Sequence, residues 1–368
     1  MSGQVLVAMS GGVDSSAAAI LLKEQSYICR GATMKLIDDD WAANCCAGVC
    51  DSKRGKSCCA ISDIEDARSV AYSLNIPFNI FNFTDDFREN VIERFVRSYC
   101  EGVTPNPCID CNRFIKFNKF FRRGIDLGFD FIATGHYARV MRDSVTGRYL
   151  LKKGLDDSKD QSYVLYMMTQ EQLSRVLFPL GNLNKSRVRE ITRQHNLVTA
   201  DKGESQDICF VPDGNYASFI ERYMGKSAEC GDFIDKNGKK LGQHRGIIRY
   251  TIGQRKGLGI ARATPYYVCS KNIEDNTIML GDEADLYTEH VEAKDINLIS
   301  CEQIETPIKV KAKVRYRQKE EEGIAEQIDN DKLRVKFDTK QKGIAIGQAL
   351  VLYDGETIIG GGTISATY

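Results

Sequence analysis

Residues 4–16, QVLVAMSGGVDSS, place an apolar, β-branched run and two adjacent glycines directly before an alanine-rich segment, SSAAAILLKEQ (15–25). Such a stretch folds most readily as a buried strand, a tight turn and a helix. Glycine lets the backbone approach a ligand closely, and the first N–H groups of the helix carry a partial positive charge suited to an anion. The pattern lacks the Gly-Lys-Ser/Thr of nucleoside-triphosphate loops and the G-x-G-x-x-G of dinucleotide sites. The plainer alternative is that the glycines only turn the chain.

The periodicity that follows belongs to the same class of fold. Through about residue 200, strand-like and helix-like segments alternate, which predicts a parallel α/β sheet with crossover helices. SDIEDARSVAYSLNI (62–76) reads as a helix opened by a Ser62/Glu65 capping box, and NKSRVREITRQHNL (184–197) as a basic helix capped by Asn184. FDFIATGHYARV (129–140) reads as a strand running into a loop. Beyond residue 205 glycines multiply and no long helical period continues. From about 290, short alternating strands at 308–317, 333–338, 349–354 and 357–364 predict a small antiparallel barrel or sandwich. The expected division is 1–204 for a catalytic α/β unit, 205–288 for a central unit and 289–368 for the β-barrel. The stretch 38–59 is irregular and holds Cys45, Cys46, Cys50, Cys58 and Cys59. Its spacing is no standard zinc ligand set, and a loop with incidental thiols is the reading preferred.

Composition limits the partners. Lys and Arg together number 50 and so do Asp and Glu, so any nucleic-acid face has to come from local gathering of charge. IKVKAKVRYR (308–317) offers one: as a strand it would put Lys309, Lys311, Lys313, Arg315 and Arg317 on one side, either as a phosphate-binding face or as a solvated edge. Thirteen cysteines, an odd number, argue against a fully paired disulfide framework and for a reducing, cytoplasmic setting. No apolar run approaches the ~20 residues of a membrane span, and no signal peptide opens the chain.

Two further motifs carry sulfur chemistry. TPNPCIDCN (104–112) holds Cys108 and Cys111, and ESQDICF (204–210) holds Cys209. SGGVDSS resembles the loop of the ATP pyrophosphatase superfamily, which splits ATP into AMP and pyrophosphate. Together with TPNPC, ATGHYAR, KDQSY, ESQDICF, YTIGQRKGLGI, KVRYRQ and GQALVLYDG, in this order, it resembles the bacterial tRNA-specific 2-thiouridylases from Val5 to about Ile364. The resemblance implies an α/β catalytic domain, a small central domain and a C-terminal β-barrel. It implies ATP-dependent exchange of oxygen for sulfur at C2 of the wobble uridine, position 34 of tRNA, with Mg2+ and a sulfur-donor protein (a cysteine desulfurase or sulfur relay) as partner.

Residue by residue, the resemblance assigns ATP contacts to Ala8, Met9, Ser10, Gly11, Gly12, Val13, Asp14, Ser15, Met34 and Gly135. It assigns catalysis to Cys111 and the persulfide to Cys209. The segment around the target base aligns with Asn106, Pro107 and Cys108, and tRNA contacts align with His136, Lys159, Asp160, Gln161, Arg315, Tyr316 and Gln348. Cys108 departs from the family, which has an acid/base aspartate there. A thiol differs from a carboxylate in charge and hydrogen bonding, so that role does not carry over. The change makes Cys108, Cys111 and Cys209 a three-thiolate set suited to a [4Fe–4S] cluster, an alternative to the persulfide relay. Readings of other classes are an ATP-dependent ligase or amidotransferase acting on a metabolite, and a non-catalytic tRNA-binding paralogue.

Overall fold

The computed structural model describes residues 3–38, 61–200, 202–203 and 208–368. The cysteines at 45, 46, 50, 58 and 59 lie outside the described residues. Strand β1 (Gln4–Ala8) is buried from Val5 onward and is flanked by β2 (Ile28–Lys35) and β4 (Phe131–Ala133), with β3 (Phe78–Asn82) and β7 (Val176–Leu177) at the edges. The order β3-β2-β1-β4-β7 is parallel throughout. Successive strands are added on one side of β1 (β2, then β3) and then on the other (β4, then β7), so the loops after β1 and β4 diverge around one crevice, the usual ligand position in such sheets.

The helices fill the crossovers. Helix α1 (Val13–Glu24) buries its alanine face, and α2 (Ile61–Ser73) begins no later than Ile61. Ser62 therefore lies inside the helix and does not open it. Two longer helices, α3 (84–100) and α4 (107–126), have π-helical middles, Arg88–Glu93 and Cys111–Phe120, which pack against each other. Such π segments are rare and cluster at functional sites. After the short α5 (Gln170–Ser174), α6 (Lys185–Gln194) is capped as expected, its Asn184 side chain accepting from the Arg187 amide at 3.0 Å. Past residue 205 one helix breaks the glycine-rich texture, α7 (Tyr216–Met224). Its apolar face supplies Phe219 and Ile220 to the core that holds α3 and the start of α4.

The central sheet contains β8 (Gly231–Ile234), β9 (Lys240–His244), β10 (Tyr267–Asn272) and β11 (Thr277–Gly281) in the order β10-β11-β8-β9. The last strands are β12 (Tyr287–Leu298), β13 (Ile308–Lys313), β14 (Glu321–Gln327), β15 (Lys332–Lys342), β16 (Ala349–Asp354) and β17 (Thr357–Thr367). They run antiparallel in the order β12-β15-β14-β13-β16-β17, and pairing of β12 with β17 closes a barrel rather than a sandwich. A hairpin from the N-terminal region, β5 (Ala138–Arg142) and β6 (Tyr149–Lys153), extends the barrel sheet through Lys152 opposite Thr357. The stretch 129–140 is thus two strands around a loop.

The cationic strand ends early. β13 stops at Lys313, Val314 is buried, and the chain turns through Arg315 and Tyr316. Lys313 and Lys153 converge on Glu320, at 3.6 and 2.6 Å, and both lie over the Tyr353 ring. The five cations therefore do not form one continuous face.

Candidate active site

The turn after β1 has the features an anion site needs. Gly11 adopts φ +68°, and a Cβ there would lie 2.2 Å from the Asp63 carbonyl oxygen on α2. Gly12 is the N-cap of α1 and no side chain caps the helix, so its leading N–H groups point into the crevice unclaimed by a side chain. From the loop after β4, Gly135 packs so closely on the Asp14–Ser15 peptide that a Cβ would lie 2.8 Å from Asp14 C. The Ser15 hydroxyl donates to the Gly12 carbonyl at 3.1 Å and accepts from the Ser10 amide at 3.1 Å, which fixes the turn. Ala8, the last residue of β1, and Met9 just after it are buried, and Met34 is half-buried on β2.

Two lysines that the sequence reading did not single out reach this turn. Lys185, the first residue of α6, places its ammonium 2.7 and 2.8 Å from the two Asp14 carboxylate oxygens, and the Tyr137 hydroxyl donates to Asp14 at 2.7 Å. Lys202 donates to the Gly11 carbonyl at 3.1 Å and to Asp66 at 2.7 Å, and it also binds Asp63. It thereby ties the turn to the segment leading towards Cys209. The spacing of Lys185 behind its Asn184 cap was the available signal, since a cap places the next side chain at a helix mouth.

The cysteine loop is built from α4. Asn106 caps the helix by accepting from the Cys108 amide at 3.2 Å, and Pro107 occupies the first turn, where its missing N–H costs nothing. The helix turns Cys111 into the core at 9 % exposure. Ile208, Cys209 and Phe210 enter that same core from the other side, with Phe210 edge-on to Phe95 at 5.2 Å and to Phe87 at 5.8 Å. Cys111 and Cys209 thus share one apolar cluster. Cys108, one helical turn before Cys111, is exposed and within electrostatic reach of Tyr316. Among the described residues no three His, Cys, Asp or Glu side chains are placed to hold a metal ion. Cys108, Cys111 and Cys209 are therefore not gathered as a three-thiolate set here: Cys108 is exposed, Cys111 buried and Cys209 half-buried.

Charged groups surround the loop. Asp110 is nearly buried and lies 3.5 Å from Arg94. Burial pushes its carboxyl up to about 6, against the pull of Arg94 and Arg113. Arg113 grips Asp295 with both terminal guanidinium nitrogens. Asp295 sits in a bulge of β12 with φ +54°, an uncommon conformation for a non-glycine residue. Arg94 and Arg113 both lie against the Phe114 ring, at 5.0 and 5.1 Å.

The barrel holds the loop from a third direction. The Gln348 amide donates to the carbonyls of Thr104 and Pro105 at 2.9 and 3.2 Å, and the Thr104 amide donates to Ile346 at 2.9 Å. The Tyr316 hydroxyl donates to the Asp160 carbonyl at 3.1 Å. The Asp160 carboxylate is buried and organises its own turn, accepting from the amides of Gly154 and Ser162 and from the Ser162 hydroxyl. Gln161 brackets Tyr137 through a backbone and a side-chain bond, and Lys159 is half-buried in the turn before it. Arg315 is half-buried, and burial lowers its guanidinium below the usual range. His136 is buried between Phe117 and Phe178, its Nδ1 2.7 Å from the Thr134 hydroxyl, and burial holds it well below 6.5, so it is neutral at pH 7. The sequence-derived site residues therefore gather around loops 10–15, 104–112 and 134–137, with His136 and Asp160 buried as supports.

Comparison with known proteins places these features. Residues 3–213 match the family described as tRNA methyl transferase HUP domain, residues 217–282 its PRC-barrel domain and residues 288–364 the aminomethyltransferase β-barrel domain. The chain is 47 % identical over 364 residues to the tRNA-specific 2-thiouridylase MnmA of Clostridioides difficile, covering 99 % of this chain and 98 % of that one. It is 47 % identical to the protein of the same name from Acetivibrio thermocellus, covering 98 % and 99 % of the two chains. Against that of Clostridium acetobutylicum it is 45 % identical, covering 99 % and 100 %.

Proposed function

This chain belongs to the tRNA-specific 2-thiouridylase family, and from that premise we propose that it replaces O2 of the wobble uridine in tRNA with sulfur at the expense of ATP. The observation that carries the reading is that Cys111 and Cys209, from two separate segments of the chain, pack into and against one apolar cluster. A methyl transfer, as the domain description reads, gives those two thiols no task.

The turn at 10–15 would hold the ATP phosphates on the amides that begin α1, with Lys185 and Asp14 at its mouth. ATP turns the C2 oxygen of the uridine into an AMP ester and so into a leaving group. Cys209 would carry a persulfide delivered by a sulfur donor. Its terminal sulfur attacks C2 as AMP leaves with the oxygen. The Cys111 thiolate then attacks the Cys209 sulfur, a Cys111–Cys209 disulfide forms, and the transferred sulfur stays on the base as the thiocarbonyl. An external dithiol reduces the disulfide before the next turnover. No step runs through an iron–sulfur cluster.

The test uses purified protein, unmodified tRNA, ATP and a persulfide-loaded donor. Cys209→Ser and Cys111→Ser are expected to abolish 2-thiouridine while tRNA-dependent release of pyrophosphate persists within about threefold. Loss of pyrophosphate release in a folded Cys209→Ser protein, or thiolation without Cys209, would overturn the assignment.

A further inference from the structure

The glycine-rich motif at 251–261, TIGQRKGLGIA, has no part in the chemistry above, yet it forms a built loop between the central sheet and the barrel. Its shape comes from Gln254. The Gln254 side chain accepts from the Thr251 amide at 3.1 Å and donates to the Lys256 carbonyl at 3.0 Å, and its backbone carbonyl accepts from the Val268 amide at 3.0 Å. Leu258 is buried beneath the loop as its apolar anchor. Gly253, Gly257 and Gly259 all take left-handed φ values of +85°, +79° and +70°. Residues with side chains rarely adopt such values, so glycine is what lets the loop keep this path.

The charges on this loop differ from those around it. Arg262 pairs with Asp282 at 2.7 Å and lies over the Tyr266 ring, and Lys342 pairs with Glu283. Arg255 and Lys256 are adjacent and exposed; Arg255 lies within electrostatic reach of Glu283, which Lys342 already engages, and neither cation has an ion-pair contact within 4.0 Å among the described residues. Two neighbouring cations held by a hydrogen-bonded loop repel each other, and an anion relieves that repulsion. Arg255 and Arg262 line a cleft of about 380 Å³ together with Thr264 and Tyr266. The loop also adjoins the barrel: a Cβ on Gly253 would lie 3.9 Å from Gly343 Cα, and one on Gly343 would lie 3.4 Å from the Arg315 guanidinium.

We propose that the loop 253–262 is a further tRNA-binding element, in which Arg255 and Lys256 bind backbone phosphates continuous with those met by Arg315. This rests on the tRNA-modifying function proposed above. Neither residue reaches the cysteines, so the loop acts on affinity and register and not on chemistry.

The experiment measures binding of unmodified tRNA by fluorescence anisotropy between 50 and 300 mM salt. It compares wild-type protein, Arg255→Gln/Lys256→Gln and a charge-matched control, Lys236→Gln/Lys239→Gln, on the far hairpin of the central sheet. Removing one phosphate-binding cation lowers the slope of log K against log salt by about 0.7–0.9, so the first double variant should lose about 1.4–1.8 and bind roughly tenfold or more weakly at 0.1 M. ATP binding by calorimetry should be unchanged in both variants. An unchanged slope, or an equal loss in the control, overturns the proposal while leaving the thiouridylase reading intact. Failure of the wild-type protein to bind tRNA would overturn both.

Discussion

Replacing Asp110 by asparagine should stabilise the protein at neutral pH and leave it unchanged in acid. Asp110 lies between Cys108 and Cys111 on α4, with its side chain only 15 % exposed. Burial raises its carboxyl from 3.8 to about 6, although Arg94 and Arg113 both favour the charged form. A carboxyl whose folded-state value lies above its unfolded value favours the fold fully below about pH 4, and the advantage is lost as pH rises through about 6. At ~1.36 kcal/mol per tenfold, ionised Asp110 costs the fold about 3 kcal/mol at pH 7. Asparagine keeps the shape and cannot ionise. Arg94 is almost half exposed, so water takes over its lost partner. Urea unfolding of wild type and Asp110→Asn at pH values from about 3 to 8 should give a stability difference near zero at the acid end, half developed near pH 5 and levelling off at about 2–3 kcal/mol above pH 6. Parallel curves, or a variant less stable at pH 7, would refute the reasoning and show that the arginines hold the carboxylate at its ordinary value.

Two further outcomes follow from the packing around the loop and the burial of a lysine. Gly347→Ala introduces a Cβ that would lie 2.1 Å from Val103 Cγ1 at a φ of +91°. It should loosen residues 103–106, at a cost of about 2 kcal/mol or more, with faster hydrogen exchange there and unchanged ATP affinity. Among the described residues, Lys271 has a buried ammonium with no hydrogen-bond partner, and burial lowers it from 10.5 to about 8. Its charged form therefore opposes folding at neutral pH, so Lys271→Met should raise stability by about 1–3 kcal/mol at pH 7 in thermal or urea unfolding, a gain that fades as pH rises from about 8 towards 10.

What could be read from the residues depended on how local the cause was. The buried strand at 4–8, the turn at 10–12 and the Asn184 cap each follow from a few adjacent residues, and each lies where its residues point. The Ser62 box failed because a capping pattern inside a helix looks the same as one at its start. The π character of Cys111–Phe120 has no simple residue pattern, since it depends on how α3 and α4 pack. The cationic strand was read too long because Glu320, which draws in Lys313, lies beyond the turn. Asp295 was invisible for a related reason: its role comes from a bulge on a strand paired far along the chain. Cys111 and Cys209 were named from motifs, and their common core comes from Phe210, whose aromatic neighbours belong to α3 and α7.

The barrel's position changes what substitutions there can mean. Gln348 gives its amide protons to the loop that leads into Cys108 and Cys111, and Tyr316 gives its hydroxyl proton to the Asp160 turn. Alanine at Gln348 therefore removes a support of the 104–112 loop, and alanine at Tyr316 a support of the Asp160 turn, together with any contact to RNA. Arg113 and Asp295 join the same loop to β12, so force on the barrel passes to the helix that carries Cys111 through at least two separate links. A tRNA seated on the barrel need not touch the cysteines to influence them; it only has to favour the docked position of β12 and the 346–348 turn. Under this arrangement a loss of kcat with a rise in KM at Gln348 says nothing about whether that residue meets RNA. Arg255 and Lys256 have no such double duty, because neither bonds to the 104–112 loop. Their substitution separates grip on the RNA from support of the thiols, and a pure affinity defect there is the cleaner sign of where the tRNA lies.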